Sequence, residues 1–364
     1  YTKYKIARSE EKQMGCWDCP QCTYVQIQPY RSHCLECNMI APSNQICFIP
    51  IPNNIKFGLE IEIIVTNGKK DGMTFQSIAD NLTMLGRLDK TLKPVIYMGY
   101  THQTTPEYWK IVPDSSVVGD NDNADVCGND LCFELVSPPV IGENGLHQLR
   151  SIMNNVRQLG IATNASCGFH VHIDAEEDST ILGNLTNIKR ISQCFVSLEN
   201  AFDVLVVKQQ SPSQSQQQQQ NYHQQQDQQQ QQHHTSNRRT NRNKYCKSNR
   251  LEFGHLSNRQ RWYHISEATS KEHVVQMLNG RRKSPSRNVP DFASTTSTST
   301  STIDNKYNKN NLDRNRKLNL TNITNPKRPS TYEFRHYGGV EDIFDAECWV
   351  RLILLFCYNT ATGT

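Results

Sequence analysis

Glu60 and Glu62 stand two residues apart inside the apolar stretch "FGLEIE" at 57–62, and that pair restricts the folds open to this chain more than any other feature. Successive side chains of a strand alternate between faces. Both carboxylates therefore project from one face, while Leu59, Ile61 and Ile63 project from the other. Two like charges side by side repel, so the carboxylate face has to meet something positive. The apolar face has to be covered. Such a strand belongs in a sheet with a hydrophobic core behind it and a charged cleft in front.

Three other segments repeat the pattern. "CGFHVHID" sets His170, His172 and Asp174 on one face of a strand, and "TYEFRHYGG" does the same with Glu333 and Arg335. "LCFELVSPP" places Glu134 in an apolar strand that Pro138-Pro139 brings to a stop. Any one of these alone reads as a half-exposed surface strand. Together they supply carboxylates and imidazole without a thiolate, a ligand set suited to Mg²⁺ or Mn²⁺. Divalent ions would resolve the repulsion at Glu60 and Glu62. An arginine in that company has its own use, the two-pronged binding of phosphate oxygens. Metal ions bridging phosphates, with arginine neutralising the transferred group, are the apparatus of phosphoryl transfer. The chain has no Gly-x-x-x-x-Gly-Lys loop and no dinucleotide fingerprint, which excludes P-loop and Rossmann enzymes.

The 364 residues could bury a sizeable core, but the hydrophobic content is only 36%, and the dilution is local. Residues 209–236 are nearly all Gln with His and Ser, and 283–311 are Ser, Thr and Asn with scattered Lys. Neither tract has the apolar surface to offset its ordering entropy, so both read as disordered insertions. Residues 237–330 carry 20 Lys and Arg against 6 Asp and Glu, leaving the remainder of the chain net acidic. No stacking aromatics recur through that basic stretch, which reads as a solvated loop region rather than an RNA surface. No apolar run is long enough to span a membrane, no signal peptide opens the visible chain, and the thirteen cysteines show no disulfide framework. The expected location is intracellular and cytoplasmic. Starting at Tyr1 and stopping at "NTATGT", the chain reads as a fragment.

Near the amino terminus, Cys19-x-x-Cys22 and Cys34-x-x-Cys37 form two knuckles of the kind that close a tetrahedral structural Zn²⁺ site. A segment this short has almost no core, so the metal would supply its folding energy. With Trp17 and the Cys22-Thr23 step, residues 16–40 resemble the RanBP2-type zinc finger, though the knuckles lie one residue further apart and no Asn follows Cys22 at the family's spacing. The resemblance implies ubiquitin or single-stranded RNA as partner; Thr23-Tyr24 is similar to the ubiquitin-binding kind, whereas Glu36 falls where a hydrophobic contact is wanted.

The segments "FGLEIE", "FELVSPP", "NASCGFHVHID", "KLNLTN" and "STYEFRHYGG" resemble, in order, those of the amidoligase family, relatives of glutamine synthetase and γ-glutamylcysteine ligase. The resemblance covers 53–358, with the two low-complexity tracts as insertions. It implies an ATP- and Mg²⁺-dependent carboxylate–amine ligase working through an acyl phosphate on amino-acid, peptide or protein substrates. It further implies Glu60, Glu62, Glu134, His170 and Glu333 as metal ligands, His172 and Arg335 on ATP phosphates, and Asn319 on nucleotide or acyl phosphate. Gly168 would let the backbone approach the nucleotide, and Asp114 would grip the amine. Asp174 and Asp114 are both candidates for the base that deprotonates it. A ubiquitin- or RNA-binding adaptor with an inactive ligase-like domain is the alternative. The expected fold is α+β: a curved, mostly antiparallel sheet of the glutamine synthetase type, metals on its concave face and helices behind. Helical spacing is expected over 197–207, over 266–278 capped by Ser266 or Ser270, and over 346–358 as a buried helix.

Overall fold

The computed structural model describes residues 17–18, 25–26, 50–87, 89, 92–101, 105–117, 128–164, 166–178, 180–207, 246–254, 256–280 and 312–364. The four knuckle cysteines and the two low-complexity tracts lie outside these residues. Strands β1 (Trp17–Asp18) and β2 (Val25–Gln26) pair antiparallel.

"FGLEIE" lies in β3 (Lys56–Val65), which occupies the middle of a large open sheet. The other strands are β4 (Val95–Tyr97), β5 (Trp109–Pro113), β6 (Leu131–Val136), β7 (Val140–Ile141), β8 (Gly168–Asp174), β9 (Leu318–Asn319) and β10 (Thr331–Gly338). Their order is β4-β5-β6-β3-β8-β10-β9, with β7 paired to the start of β3. Among the described residues the β4–β5 pair is parallel and the remaining pairs are antiparallel. The fold is therefore α+β with a mostly antiparallel, mixed sheet.

The apolar faces alternate as expected. Leu59, Ile61 and Ile63 of β3 share one core with Phe133 and Leu135 of β6, Phe169, Val171 and Ile173 of β8, and Tyr332 and Phe334 of β10, all fully buried. Each such side chain contributes about 1.5–3 kcal/mol relative to exposure. That is how a strand bearing two carboxylates can still sit at the centre of the sheet. Helices α1 (Phe75–Gly86), α2 (Gly142–Gln158), α3 (Leu185–Val207) and α6 (Ile343–Thr362) contribute to the same core. In α2 the buried Leu146, Leu149, Ile152, Met153 and Val156 fall on one helical face. A Cβ on Gly145 would lie 2.7 Å from both Phe57 and Val140, so glycine is what lets α2 approach β3 so closely.

Helix 197–207 is the last part of the longer α3, and the apolar run 346–358 is the middle of α6. Over 266–278 the structure has two helices: α4 (Asn258–Ser266) and α5 (Lys271–Asn279). Ser270 is the cap, accepting a hydrogen bond from the His273 amide at 3.2 Å, while Ser266 turns back to donate to the Tyr263 carbonyl. Between α2 and α6, Arg351 grips Glu143 with two bonds of 2.6 Å and also binds Glu347, which Arg150 holds from its other side. No helix among the described residues is long and apolar enough to cross a membrane.

Candidate active site

Register assembles the charged face. Glu60 of β3 stands opposite His170 of β8, and Glu62 stands opposite Glu134 of β6. Glu333 of β10 lies between His172 of β8 and Asn319 of β9. Each pair consists of directly opposed residues, so their side chains share one face and touch. Asp114, just past the end of β5, completes the row beside Glu134. The result is three overlapping clusters whose potential ligand atoms lie within 4.8 Å of one another: Glu62, Asp114 and Glu134; Glu60, Glu134 and His170; Glu60, His172 and Glu333.

The contacts are close. His170 Nδ1 lies 3.1 Å from Glu60 Oε2 and its Nε2 3.6 Å from Glu62 Oε1, while His172 Nε2 lies 3.2 Å from Glu60 Oε1. Asn319 donates to Glu333 at 2.6 Å, and Arg335 donates to the other oxygen of the same carboxylate. Between Phe334 and Tyr337, β10 advances three residues while β8 advances two. Alternation keeps Arg335 on the site face and sends His336 inward among Phe195, Phe202 and Trp349, and the bulge brings the next residue, Tyr337, against Phe169 as well.

Crowding splits the carboxylates into different protonation behaviours. Burial and the charges of Glu60, Asp114 and Glu62 push the Glu134 carboxyl well above its ordinary range. For Glu60, burial acts in the same direction, but His172 and His170 outweigh it and hold the group well below that range. Burial likewise opposes ionisation of Glu333, yet Arg335 and His172 bring it down to about 2. The His172 imidazole is raised because Glu60 outweighs its burial. In Arg335 the neighbouring Glu333 and Glu62 overcome burial and strengthen its hold on its proton. One carboxyl pushed up beside two held down reflects a site whose buried negative charges are not balanced by its own cations. The donors are oxygens and imidazole nitrogens, and no cysteine belongs to any of the three clusters. The set fits a hard divalent cation.

Glu60, Glu62, Asp114, Glu134, His172 and Arg335 line a cavity of about 450 Å³, and His170, Glu333 and Asn319 lie beside them on the neighbouring strands. Its floor is the charged face of the sheet, and its far end is formed by Asp174 of β8, which lies 3.3 Å from Lys56 Nζ and accepts from the Glu176 amide. Thus the structure brings Glu60, Glu62, Glu134, His170, His172, Glu333, Asn319, Arg335 and Asp114 together, with Asp174 at the opposite end of the same cavity. Asp114 accepts two hydrogen bonds of 2.8 Å from Ser116 and lies against Glu62 and Glu134, in a cluster that could hold a metal ion. His172 belongs with Glu60 and Glu333 to another such cluster. At the start of β8 the Gly168 amide donates to Glu62 at 2.7 Å, so this N–H orients a carboxylate.

Sequence reasoning missed three polar groups. Lys110 of β5 is buried and lines the cavity, with Nζ 3.5 Å from the Thr101 carbonyl. Alternation in "WKIVPD" would have shown it, since Trp109 and Ile111 face the core and Lys110 the other side. Arg328 enters from the segment before β10, where no periodicity marks it. Thr331 lies 3.3 Å from His172 Nδ1 and accepts from Asn322 at 3.2 Å, orienting the imidazole.

A sequence-family model described as "putative amidoligase enzyme" matches residues 53–276. Glu60, Glu62, Asp114, Glu134, His170 and His172 lie within the match; Asn319, Glu333 and Arg335 lie beyond it and join the site through sheet register. No curated protein and no solved structure matches the chain.

Proposed function

This chain belongs to the amidoligase family, and on that premise we propose that it is an ATP- and Mg²⁺-dependent carboxylate–amine ligase of the glutamine synthetase and γ-glutamylcysteine ligase kind. The observation that carries the reading is the row of three carboxylate and imidazole clusters in one cavity, with a buried arginine at one end. In the reaction a substrate carboxylate attacks the γ-phosphorus of ATP, forming an acyl phosphate and releasing ADP. An amine then attacks the acyl carbon, phosphate leaves, and the amine proton passes to a base.

Glu60, Glu62, Glu134, His170 and Glu333 would hold the divalent ions. When bound, these ions cancel the repulsion between carboxylate and triphosphate and draw charge off the transferred group. Arg335, anchored on Glu333, donates to the oxygens of the moving phosphoryl group, where a fixed donor is worth most. His172 donates to the phosphates, and its orientation is kept by Thr331. Asn319 holds Glu333 in position and contacts nucleotide or acyl phosphate. Asp114 grips the amine, and Asp114 and Asp174 are the two carboxylates able to take its proton. At the amino terminus Cys19, Cys22, Cys34 and Cys37 would hold one structural Zn²⁺, a stoichiometry that metal analysis of wild type and Cys19→Ser measures.

Hydroxylamine tests the ligase reading. As a small amine acceptor it should trap the acyl phosphate, giving hydroxamate and ADP in equal amounts with Mg²⁺, ATP and a panel of amino-acid and peptide carboxylates. ADP without hydroxamate would make the protein an ATPase. Release of neither with any carboxylate would remove the ligase assignment.

A further inference from the structure

Strand β9 is two residues long and lies at one end of the sheet order, yet it presents Asn319, whose side-chain amide donates to Glu333 at 2.6 Å. One edge of β9 is paired to β10, with Asn319 opposite Glu333 and Leu318 opposite Phe334. Just before it, the Lys317 carbonyl accepts the Arg335 amide at 2.8 Å. The N–H and C=O of Leu318 point to the opposite edge, and among the described residues no strand of the sheet lies along it. Leu318, Asn319 and Leu320 are all buried. Backbone groups at such an edge cannot turn to water, and leaving them unpaired would be costly.

Two asparagine side chains take the place of the missing strand. Asn249 Oδ1 accepts the Leu318 amide at 2.9 Å while its Nδ2 donates to the Leu318 carbonyl at 2.8 Å, the two-way exchange that a residue of a neighbouring strand would make. Its second Nδ2 contact is the Leu278 carbonyl at 3.3 Å. Asn279 Oδ1 accepts the Leu320 amide at 3.0 Å, and its Nδ2 donates to the Asp313 carbonyl at 3.2 Å and to the Leu318 carbonyl at 3.4 Å. Both asparagines are 0% exposed, so water does not compete for these bonds. Asn249 opens a short 3₁₀ turn (Asn249–Phe253) and Asn279 ends α5. The residues they clasp, Leu318 and Leu320, stand on either side of Asn319.

We propose that Asn249 and Asn279 are positioning residues of the candidate active site: by clasping the backbone on both sides of Asn319 they set its amide on Glu333 and fix that carboxylate for a divalent ion. The orientation of Asn319 is consistent with this role, because its Oδ1 accepts the Thr321 amide at 3.0 Å and leaves Nδ2 for Glu333. Groups that orient a metal ligand from behind change metal affinity by about 10–100-fold when removed. Asn249 and Asn279 stand one step further back and act through Asn319, so their effect depends on its presence. The proposal rests on the reading of Glu333 as an ion ligand in a ligase site, but it is measured by binding and not by turnover.

The test is a double-mutant cycle on Mg²⁺ affinity, measured by calorimetry on the full chain without nucleotide. Asn319→Ala should weaken Mg²⁺ binding by roughly tenfold. Asn249→Ala and Asn279→Ala should each weaken it by about threefold or more, and either change added to Asn319→Ala should weaken it no further. Asn279 makes the longer bonds, so Asn279→Ala gives the reading if Asn249→Ala fails to fold. Arg351→Met, on α6 and outside the clasp, should lower the melting temperature and leave Mg²⁺ affinity as it was; an equal weakening there would trace the effect to lost stability and overturn the proposal. Unchanged affinity in both asparagine variants overturns it too, as does an equal loss with and without Asn319. A wild-type protein that takes up no Mg²⁺ overturns it together with Glu333 as a ligand. The expected cycle in a protein that makes no hydroxamate would refute the ligase reading and leave the positioning role standing.

Discussion

Replacing Arg335 by Met removes the charge that keeps Glu333 ionised and leaves the buried shape largely filled. Glu333 is 1% exposed and is held at about 2, against an ordinary 4.5. That difference corresponds to about 3 kcal/mol at 1.36 kcal/mol per pH unit, within the range seen when one partner of a buried ion pair is deleted. Such a loss is a large share of the ~5–15 kcal/mol that holds a domain together. The pH dependence has a definite sign. Because the folded pKa is depressed, the stabilisation is complete above about 4.5 and is lost as pH falls toward about 2. Urea melts should therefore show a gap of about 3 kcal/mol between wild type and Arg335→Met at pH 7, shrinking to about 1 kcal/mol at pH 3. Mg²⁺ should narrow the gap at pH 7, since an ion on Glu333 replaces the missing positive charge. A gap of equal size at both pH values would mean that Arg335 acts through packing alone. No gap at all would mean that Asn319 and His172 suffice for Glu333.

Arg335→Lys keeps the charge but loses the planar donor, so turnover should fall by roughly 10² with smaller changes in ATP affinity, checked by steady-state kinetics and nucleotide titration. Glu60→Gln removes a residue shared by two of the clusters and should weaken Mg²⁺ binding first, with turnover recovering at high Mg²⁺; calorimetry against Mg²⁺ decides it. His336 is buried with both ring nitrogens lacking a partner among the described residues, and burial followed by Lys317 depresses its pKa. Its contribution is thus complete above about 6.5 and lost as pH falls, by up to about 1.4 kcal/mol per pH unit; His336→Phe should flatten that slope in urea melts between pH 7 and pH 5. Arg351→Met strands Glu347, itself 1% exposed, and should cost about 3 kcal/mol in the same melts; a cost under about 1 kcal/mol would show that Arg150 alone satisfies it.

Alternation alone determined which side chains share a face. Glu60 with Glu62, His170 with His172 and Asp174, and Glu333 with Arg335 could all be read from period two, because a pleated strand leaves no other choice. The apolar partners of those residues likewise settled that a core lay behind them. Register belonged to the tertiary structure. β6, β3, β8 and β10 are neighbours in the sheet although long stretches of chain separate them, and only their pairing sets Glu60 against His170 and Glu62 against Glu134. A slip of one residue would have sent each set into the core. Period two also sends His336 inward while Arg335 stays in the cleft, but the bulge that brings Tyr337 against Phe169 has no marker in "TYEFRHYGG", since it arises from how β10 lies on β8. Lys110 and Arg328, single cations in unremarked positions, acquire meaning only because folding brings them to one cavity. Local sequence governs direction along a strand; what each side chain finally meets depends on which distant segment is packed beside it.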